Sequence, residues 1–444
     1  MTPGAQAGWW RAADLPPVRV ADGALAFGAL LIFMILLVLA PQASVPELGR
    51  IRLALLVGAA AVLMHGWARF SAGLPLLMPS AESRVIGVLL AWIVITLPLS
   101  RFPGASLQIL IGDFLKTLGV FWLLSHVLVT RARLRTAAWV LSLTALPLAA
   151  TGVRNFLSGH LVRGRVAGFE APLTADPNAL AMVLNLILPL TVALFLISRR
   201  PAVRIGLGAL IALEAAGVVV TFSRGGFLTL AAIIVLYLRT LQRRRSWRWA
   251  AAAAALVLAA TPLLPLGYLE RLGTINNIQA DETGSAQERW ELTRQGLRYA
   301  VSHPFVGAGL GMSVLADCAR RGIPAADCGR VCSGEALPPC LAVHNVYLQL
   351  AMDLGWPGPV LFLLLLGSAV RSAARASARC AGSPELADLA ALADAVRISI
   401  LGFALAALFY PWAYFPYVYL LIGLAVAAHA VSAAETGRAA GAAA

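Results

Sequence analysis

Apolar stretches of about twenty residues, separated by short polar breaks, recur along the whole of this chain. A stretch of that length crosses the hydrocarbon core of a bilayer as an α-helix, which satisfies its own backbone hydrogen bonds. Of the 444 residues, 60% are hydrophobic and 13% are charged. Soluble proteins average roughly 45–50% apolar and about 25% charged residues. The sequence therefore predicts an all-α polytopic membrane protein rather than a soluble domain.

The hydropathy pattern predicts about twelve transmembrane helices. Proline, glycine and arginine residues interrupt the apolar runs at the expected boundaries. The candidate spans cover residues 24–40, 51–66, 85–100, 105–127, 136–155, 177–197, 205–222, 225–241, 249–266, 345–367, 397–413 and 415–431.

Four segments describe the expected organisation of the chain. Residues 1–266 hold nine spans with short loops, and no cleavable signal peptide is expected at their start. Residues 267–344 form a long, polar loop that we expect to be a helical cap stapled by disulfides. Residues 345–431 hold the last three spans. Residues 432–444 are rich in Ala and Gly and are expected to form a disordered tail.

Basic residues cluster in alternate loops, which sets the expected orientation because cytoplasmic loops of membrane proteins collect Arg and Lys. The net charge of +14 follows from this bias, so no nucleic-acid partner is expected. Both termini are then cytoplasmic, the loop 267–344 is external, and membrane lipids surround the spans. The arginines on the predicted cytoplasmic side are Arg131, Arg133, Arg135, Arg199, Arg200, Arg204, Arg243, Arg244, Arg245, Arg248, Arg371, Arg375 and Arg379.

Four of the five cysteines fall in the external loop, and the fifth, Cys380, falls on the cytoplasmic side. In an oxidising compartment four clustered cysteines favour two disulfides, with three pairings open. A zinc site is disfavoured because the spacing is irregular and contains no CxxC pair. The external cysteines are Cys318, Cys328, Cys332 and Cys340.

His344 and Asn345 stand where the polar loop meets an apolar helix, with Tyr347 just inside it. A histidine at a membrane face, opposite arginines, can act as a catalytic base because its reference pKa lies near neutrality. The alternative is an interfacial histidine that only helps to cap the helix. The sequence offers His344 as the candidate base, with Asn345 and Tyr347 as supporting residues.

Three arginines stand out on the predicted external side. Arg165 precedes Asp176-Pro177, a strong helix-start signal. Arg224 lies in the sequence TFSRGGF between two spans, and Arg289 lies in a helical stretch. Each could instead contact lipid headgroups. No metalloprotease, serine-hydrolase, P-loop or DxD motif is present, so no metal or cofactor is expected, and arginine would neutralise any phosphate-bearing leaving group.

The glycine-rich stretch from His303 to Met312 admits two interpretations. Its backbone amides could cradle an anionic oxygen. Alternatively, its glycines allow the loop to pack close to the membrane, which is the favoured interpretation.

The ordered set of polar motifs resembles the O-antigen ligase family, within the superfamily that also holds O-antigen polymerases and protein O-oligosaccharyltransferases. The matching pieces are Arg165 to Asn178, Ser223-Arg224-Gly225, Arg289 followed by Pro304 to Gly311, and His344-Asn345 ahead of Gly355 and Gly358.

The resemblance implies a multi-span, GT-C-like glycosyltransferase in the bacterial inner membrane with its active site on the periplasmic face. The donor would be an O-antigen glycan on undecaprenyl diphosphate, and the acceptor the lipid A–core oligosaccharide. The reaction would be metal-independent and inverting. His344 would be the base, Arg224 and Arg289 would bind the diphosphate, and Arg165 would be a third ligand.

Two kinds of alternative stay open. An O-antigen polymerase or a protein O-oligosaccharyltransferase would use nearly the same chemistry on a different acceptor. A lipid-linked sugar transporter belongs to another class and would be favoured by polar groups within spans, such as Asp113, Lys116 and Glu214. No internal repeat supports transport.

Overall fold

A computed structural model describes residues 23–43, 45, 50–162, 165–166, 168–169, 174–243, 285–314 and 343–443. Two strands of two residues each, β1 (Leu161–Val162) and β2 (Arg165–Val166), pair antiparallel. The helices are α1 (Ala24–Leu39), α2 (Leu53–Ser71), α3 (Ala81–Thr96), α4 (Pro103–Ile109), α5 (Leu115–Val127), α6 (Arg131–Leu157), α7 (Pro177–Ile197), α8 (Pro201–Val220), α9 (Arg224–Arg243), α10 (Ser285–Ser302), α11 (Val346–Leu354), α12 (Pro357–Cys380), α13 (Ala387–Ala406) and α14 (Pro416–Ala443).

Within these ranges, ten helical segments are long and apolar enough to cross a membrane, and α1 is a shorter apolar helix. The predicted all-α polytopic architecture is confirmed. The predicted span at 249–266, the four cysteines predicted to be external and most of the predicted cap at 267–344 lie outside the described residues.

The centre of the bundle is built from α7, α13 and α14, whose apolar windows are each 78% buried within the protein. Helix α13 packs against α7 and α12, and α7 packs against α8. Two polar side chains form hydrogen bonds between helices in this core: Asn185 donates to the Gly226 carbonyl at 2.9 Å, and Ser399 donates to the Leu186 carbonyl at 2.8 Å. These bonds fix the register of α9 and α13 against α7, because an unpaired polar group is costly in an apolar interior.

The single span predicted at 345–367 is wrong, because two helices meet there. Helix α11 ends at Leu354 and α12 begins at Pro357. Gly355 has φ +70°, and a Cβ at that position would contact the Phe305 carbonyl at 2.5–2.6 Å, so glycine permits the break. Pro357 then starts the new helix in its first turn, where a missing N–H costs little.

The next predicted spans are also displaced, but for a different reason. Helix α13 covers 387–406 instead of 397–413, since its early charges are paired: Arg131 Nε lies 2.6 Å from Asp388 Oδ2, and Arg397 lies 3.1 Å from Asp394. Helix α14 continues to Ala443, so the tail expected to be disordered is helical. The arginines expected in a loop at 371–379 lie on the last turns of α12.

Candidate functional site

The turn before Arg224 is organised by the hydroxyl of Ser223. This hydroxyl donates to Asn178 Oδ1 at 2.9 Å and accepts from the Gly226 amide at 3.2 Å. The hydroxyl oxygen of Tyr410 lies 3.0 Å from the hydroxyl oxygen of Ser223. Because the single serine proton is used on Asn178, Tyr410 is the donor in that contact. Arg224, half-buried, is the first residue of α9.

Asn178 belongs to the predicted helix start after Asp176, and that prediction is confirmed. The Asp176 carboxylate accepts from the amides of Asn178 and Ala179 at 2.8 and 3.2 Å, and Pro177 occupies the first turn. This is an N-cap of ordinary kind. The sequence motifs around Asp176 and Arg224, 48 positions apart in the chain, therefore meet at Ser223.

His344 is held in a tight turn just before α11. The Asn345 amide donates to the Val343 carbonyl at 2.9 Å, so His344 is the central residue of a γ-turn. Asn345 caps the helix by accepting from the Leu348 amide at 3.0 Å. The hydroxyl of Tyr347 donates to the Ala404 carbonyl on α13 at 2.7 Å. The two predicted supporting residues thus position the segment that carries His344, which is half-buried.

The segment between α13 and α14, residues 407–415, links the His344 turn to the Arg224 turn; we call it the aromatic connector. Its Ala407 carbonyl accepts from the Val346 amide at 2.8 Å, and its Ala413 amide donates to Gln349 at 3.2 Å. Its Tyr410 reaches Ser223, as described above. Phe409 packs so closely on Gly225 that a Cβ there would lie 2.8 Å from the Phe409 Cβ. One short segment therefore contacts both sequence motifs.

Helix α10 brings Arg289 to the same end of the protein as His344. Gly296 faces Val343, Leu348 and Met352, so α10 packs along α11. After α10 the chain passes the C-terminal end of α11, where the backbone amide of Trp356 donates to the Pro304 carbonyl at 2.8 Å. The two helices consequently run in the same direction. Arg289 lies two turns before Gly296, about 10 Å back along the same face.

The glycine-rich loop after His303 packs against the end of α11. The amides of Ala308 and Gly309 donate to the carbonyls of Met352 and Asp353 at 2.7 and 2.9 Å. Gly309 has φ +115°, and a Cβ there would collide with Ser100 Oγ. These two amides cap a helix C-terminus. The glycines of this loop therefore allow close packing against protein backbone, whereas the sequence interpretation favoured packing close to the membrane.

Asp353 lies at the end of this short helix with no solvent exposure. Tyr414 of the aromatic connector donates to its Oδ2 at 2.9 Å. Oδ1 has no hydrogen-bond partner among the residues described. Burial raises the pKa of Asp353 to about 7, against the lowering effect of Tyr414 and of the nearby Ser313 and Gly311.

Arg165 lies in the β1–β2 hairpin, with its backbone opposite Val162. The hairpin contacts α6, and Gly168 just beyond it donates to the Ala175 carbonyl at 2.9 Å. The bond from Gly168 to Ala175 brings the chain that follows the hairpin back to the Asp176 cap. That cap is joined to the Ser223 turn through Asn178. The direction of the Arg165 side chain lies outside what is described.

Tyr410 and Tyr414, two of the residues that build this site, were not singled out in the sequence. Ser223, Gln349, Tyr410 and Tyr414 make the contacts that join its parts. The available signal was the unusual aromatic density of YPWAYFPY at 410–417, between two apolar spans. Within the described ranges, no group of three or more His, Cys, Asp or Glu residues could hold a metal ion.

The fold and these contacts define a multi-pass all-α membrane protein in which the aromatic connector joins the turn before α9 to the start of α11. A family model described as O-antigen ligase matches residues 207–363, a segment that runs from α8 into α12 and includes Arg224, Arg289 and His344. The chain is similar to the O-antigen ligase family over that segment, where the predicted resemblance is confirmed. No curated protein matched the sequence.

Proposed function

We propose that the protein transfers an O-antigen glycan from undecaprenyl diphosphate to the lipid A–core oligosaccharide at the periplasmic face of the bacterial inner membrane. His344 is the general base. Arg224 and Arg289 bind the diphosphate of the donor, and Arg165 is a third ligand. Asn345 and Tyr347 hold the His344 segment in place. No metal or cofactor takes part.

One observation carries the proposal: the aromatic connector contacts both the Arg224 turn and the start of α11. Parallel packing of α10 on α11 adds Arg289 at the same end. These contacts support the assignment of two guanidinium groups and one imidazole, from segments far apart in sequence, to one site. The family match spans all three of these residues.

The chemistry follows from these residue types. His344 removes the proton of an acceptor hydroxyl, whose oxygen attacks the anomeric carbon of the donor. The bond from that carbon to the diphosphate oxygen breaks, and the lipid diphosphate leaves with the bonding electron pair. A positioned base contributes about 10²–10⁴-fold to such a step. Arginine stabilises the leaving diphosphate because it stays charged and binds phosphate oxygens bidentately.

The test is glycan transfer between purified lipid-linked O-antigen and lipid A–core in proteoliposomes. His344→Ala is expected to lower transfer by about 10²-fold or more. His160→Ala is the matched control, because His160 is an exposed histidine next to the hairpin. Transfer by His344→Ala at the wild-type rate, in protein that elutes and unfolds normally, contradicts the assignment.

A second pair of variants tests the diphosphate ligands. Arg289→Ala is expected to weaken donor use, whereas Arg294→Ala, an exposed arginine on the same helix, retains it. Equal losses for both variants would assign the effect to the charge of α10 rather than to a specific contact.

The choice of acceptor separates ligation from its nearest alternatives. Ligation requires lipid A–core in the assay. Product formed between lipid-linked glycans alone identifies a polymerase, and product formed on a Ser/Thr peptide identifies a protein O-oligosaccharyltransferase.

A further inference from the structure

Two rings of the aromatic connector are stacked face to face. Tyr410 and Trp412 have ring centroids 4.6 Å apart and planes only 10° from parallel. Tyr410 is 2% exposed, whereas Trp412 is half-buried. Tyr410 is therefore the buried ring of the stack, and part of the Trp412 ring surface is exposed.

A third ring borders this stack at an angle. Phe415 lies 5.7 Å from Trp412, centroid to centroid, with its plane inclined by 49°. It is also half-buried. Trp412 and Phe415 thus form an open, rigid corner of aromatic surface, supported from below by Tyr410.

The corner lies between the two halves of the candidate site. On one side, Tyr410 donates to Ser223, the residue before Arg224. On the other, Ala413 donates to Gln349 on the helix that follows His344. Trp412 stacks on Tyr410 and directly precedes Ala413 in the chain. Its ring is therefore fixed relative to both of these residues.

We propose that Trp412, backed by Tyr410 and bordered by Phe415, binds a pyranose ring of the transferred glycan or its acceptor. The inference rests on the proposed function and names the sugar-binding surface of that site. A pyranose presents patches of C–H groups with partial positive charge, and these match the electron-rich face of an indole. Aromatic side chains suit this role because they offer apolar area at little cost in conformational entropy.

Membrane proteins also carry Trp and Tyr at the lipid–water interface as anchors. An anchor would be indifferent to sugar, and its ring could be replaced by another apolar group without changing binding. A sugar platform requires a flat ring at position 412. The variants Trp412→Ala and Trp412→Phe separate these roles.

The experiment measures sugar binding without turnover. The full-length protein in nanodiscs is titrated with the soluble polysaccharide released from lipopolysaccharide by mild acid, and saturation-transfer NMR reports contact. Trp412→Ala is expected to weaken binding by about tenfold, whereas Trp412→Phe stays within about threefold. Trp67→Ala is the matched control, since Trp67 is 70% exposed on α2.

Transfer kinetics provide a second readout. Trp412→Ala is expected to raise KM for the sugar substrate by about tenfold with kcat within about threefold, because a platform adds binding away from the reacting bond. Wild-type binding and KM in Trp412→Ala would overturn the inference and leave an interfacial anchor. Equal losses in the Ala and Phe variants would also overturn it.

The two proposals fail separately. If His344→Ala retains full transfer, the catalytic assignment fails while the binding titration still tests Trp412. If His344→Ala is inactive and Trp412→Ala binds the polysaccharide normally, only the platform is refuted.

Discussion

Replacing Asp353 by asparagine tests the buried contact that ends α11. The Asp353 carboxyl is fully buried and accepts a 2.9 Å hydrogen bond from Tyr414. Asparagine has nearly the same shape, and its carbonyl oxygen can accept the same bond. The substitution therefore removes one titrating group and leaves the packing in place.

The magnitude follows from the pKa of Asp353, which burial raises from 3.8 to about 7. Well below the ordinary pKa of 3.8, the carboxyl is protonated in both the folded and the unfolded chain. As pH rises from 4 to 7, the unfolded chain ionises first and binds fewer protons than the folded protein, so the free energy of unfolding falls. The total loss is about 4 kcal/mol, of which about 3 kcal/mol falls between pH 5 and pH 8.

The assay is thermal unfolding of both proteins in detergent across pH 5 to 8. The Tm of the wild-type protein minus that of Asp353→Asn is expected to fall by about 3 °C over this range. Other titrating groups contribute equally to both proteins and cancel in the difference. Curves that stay parallel over the whole range would refute a protonated carboxyl at Asp353.

Three further substitutions test other parts of the account. Arg224→Lys keeps the charge but loses bidentate binding, so transfer in proteoliposomes is expected to fall by about tenfold or more; an unchanged rate would rule out a guanidinium-specific role. Gly309→Ala forces a side chain onto φ +115° and onto Ser100, so thermal unfolding should show a loss of about 1–3 kcal/mol; unchanged stability would contradict that geometry. Tyr410→Phe removes the donor to Ser223 and should cost about 0.5–1.5 kcal/mol in the same assay; no loss would mean that this bond contributes nothing to the fold.

Much of the bundle could be predicted because of one simple rule: a helix that crosses a bilayer needs about twenty consecutive apolar residues. Spans such as α7 and α8 follow from apolar runs bounded by proline and arginine, and the Asp176 cap follows from its helix-start residues. The rule failed at 345–413. Gly355 and Pro357 divide an apolar run that hydropathy joins, and α13 begins among charges that tertiary partners neutralise.

The site could be predicted only as separate motifs. Sequence reasoning offered Arg224, Arg289 and His344 as candidates, but nothing local indicates that α10 packs in parallel on α11. Nor does the sequence indicate that Tyr410 bonds to Ser223, 187 positions earlier in the chain. Such contacts depend on how distant helices pack, and hydropathy carries no information about that arrangement.

The most direct test of the central claim is a cryo-EM structure of the protein with undecaprenyl diphosphate-linked glycan bound. The account predicts the guanidinium groups of Arg224 and Arg289 within about 4 Å of the diphosphate oxygens, with His344 facing the anomeric carbon within one sugar's width. A diphosphate bound away from both arginines, or His344 turned to the opposite face of the membrane, would contradict it.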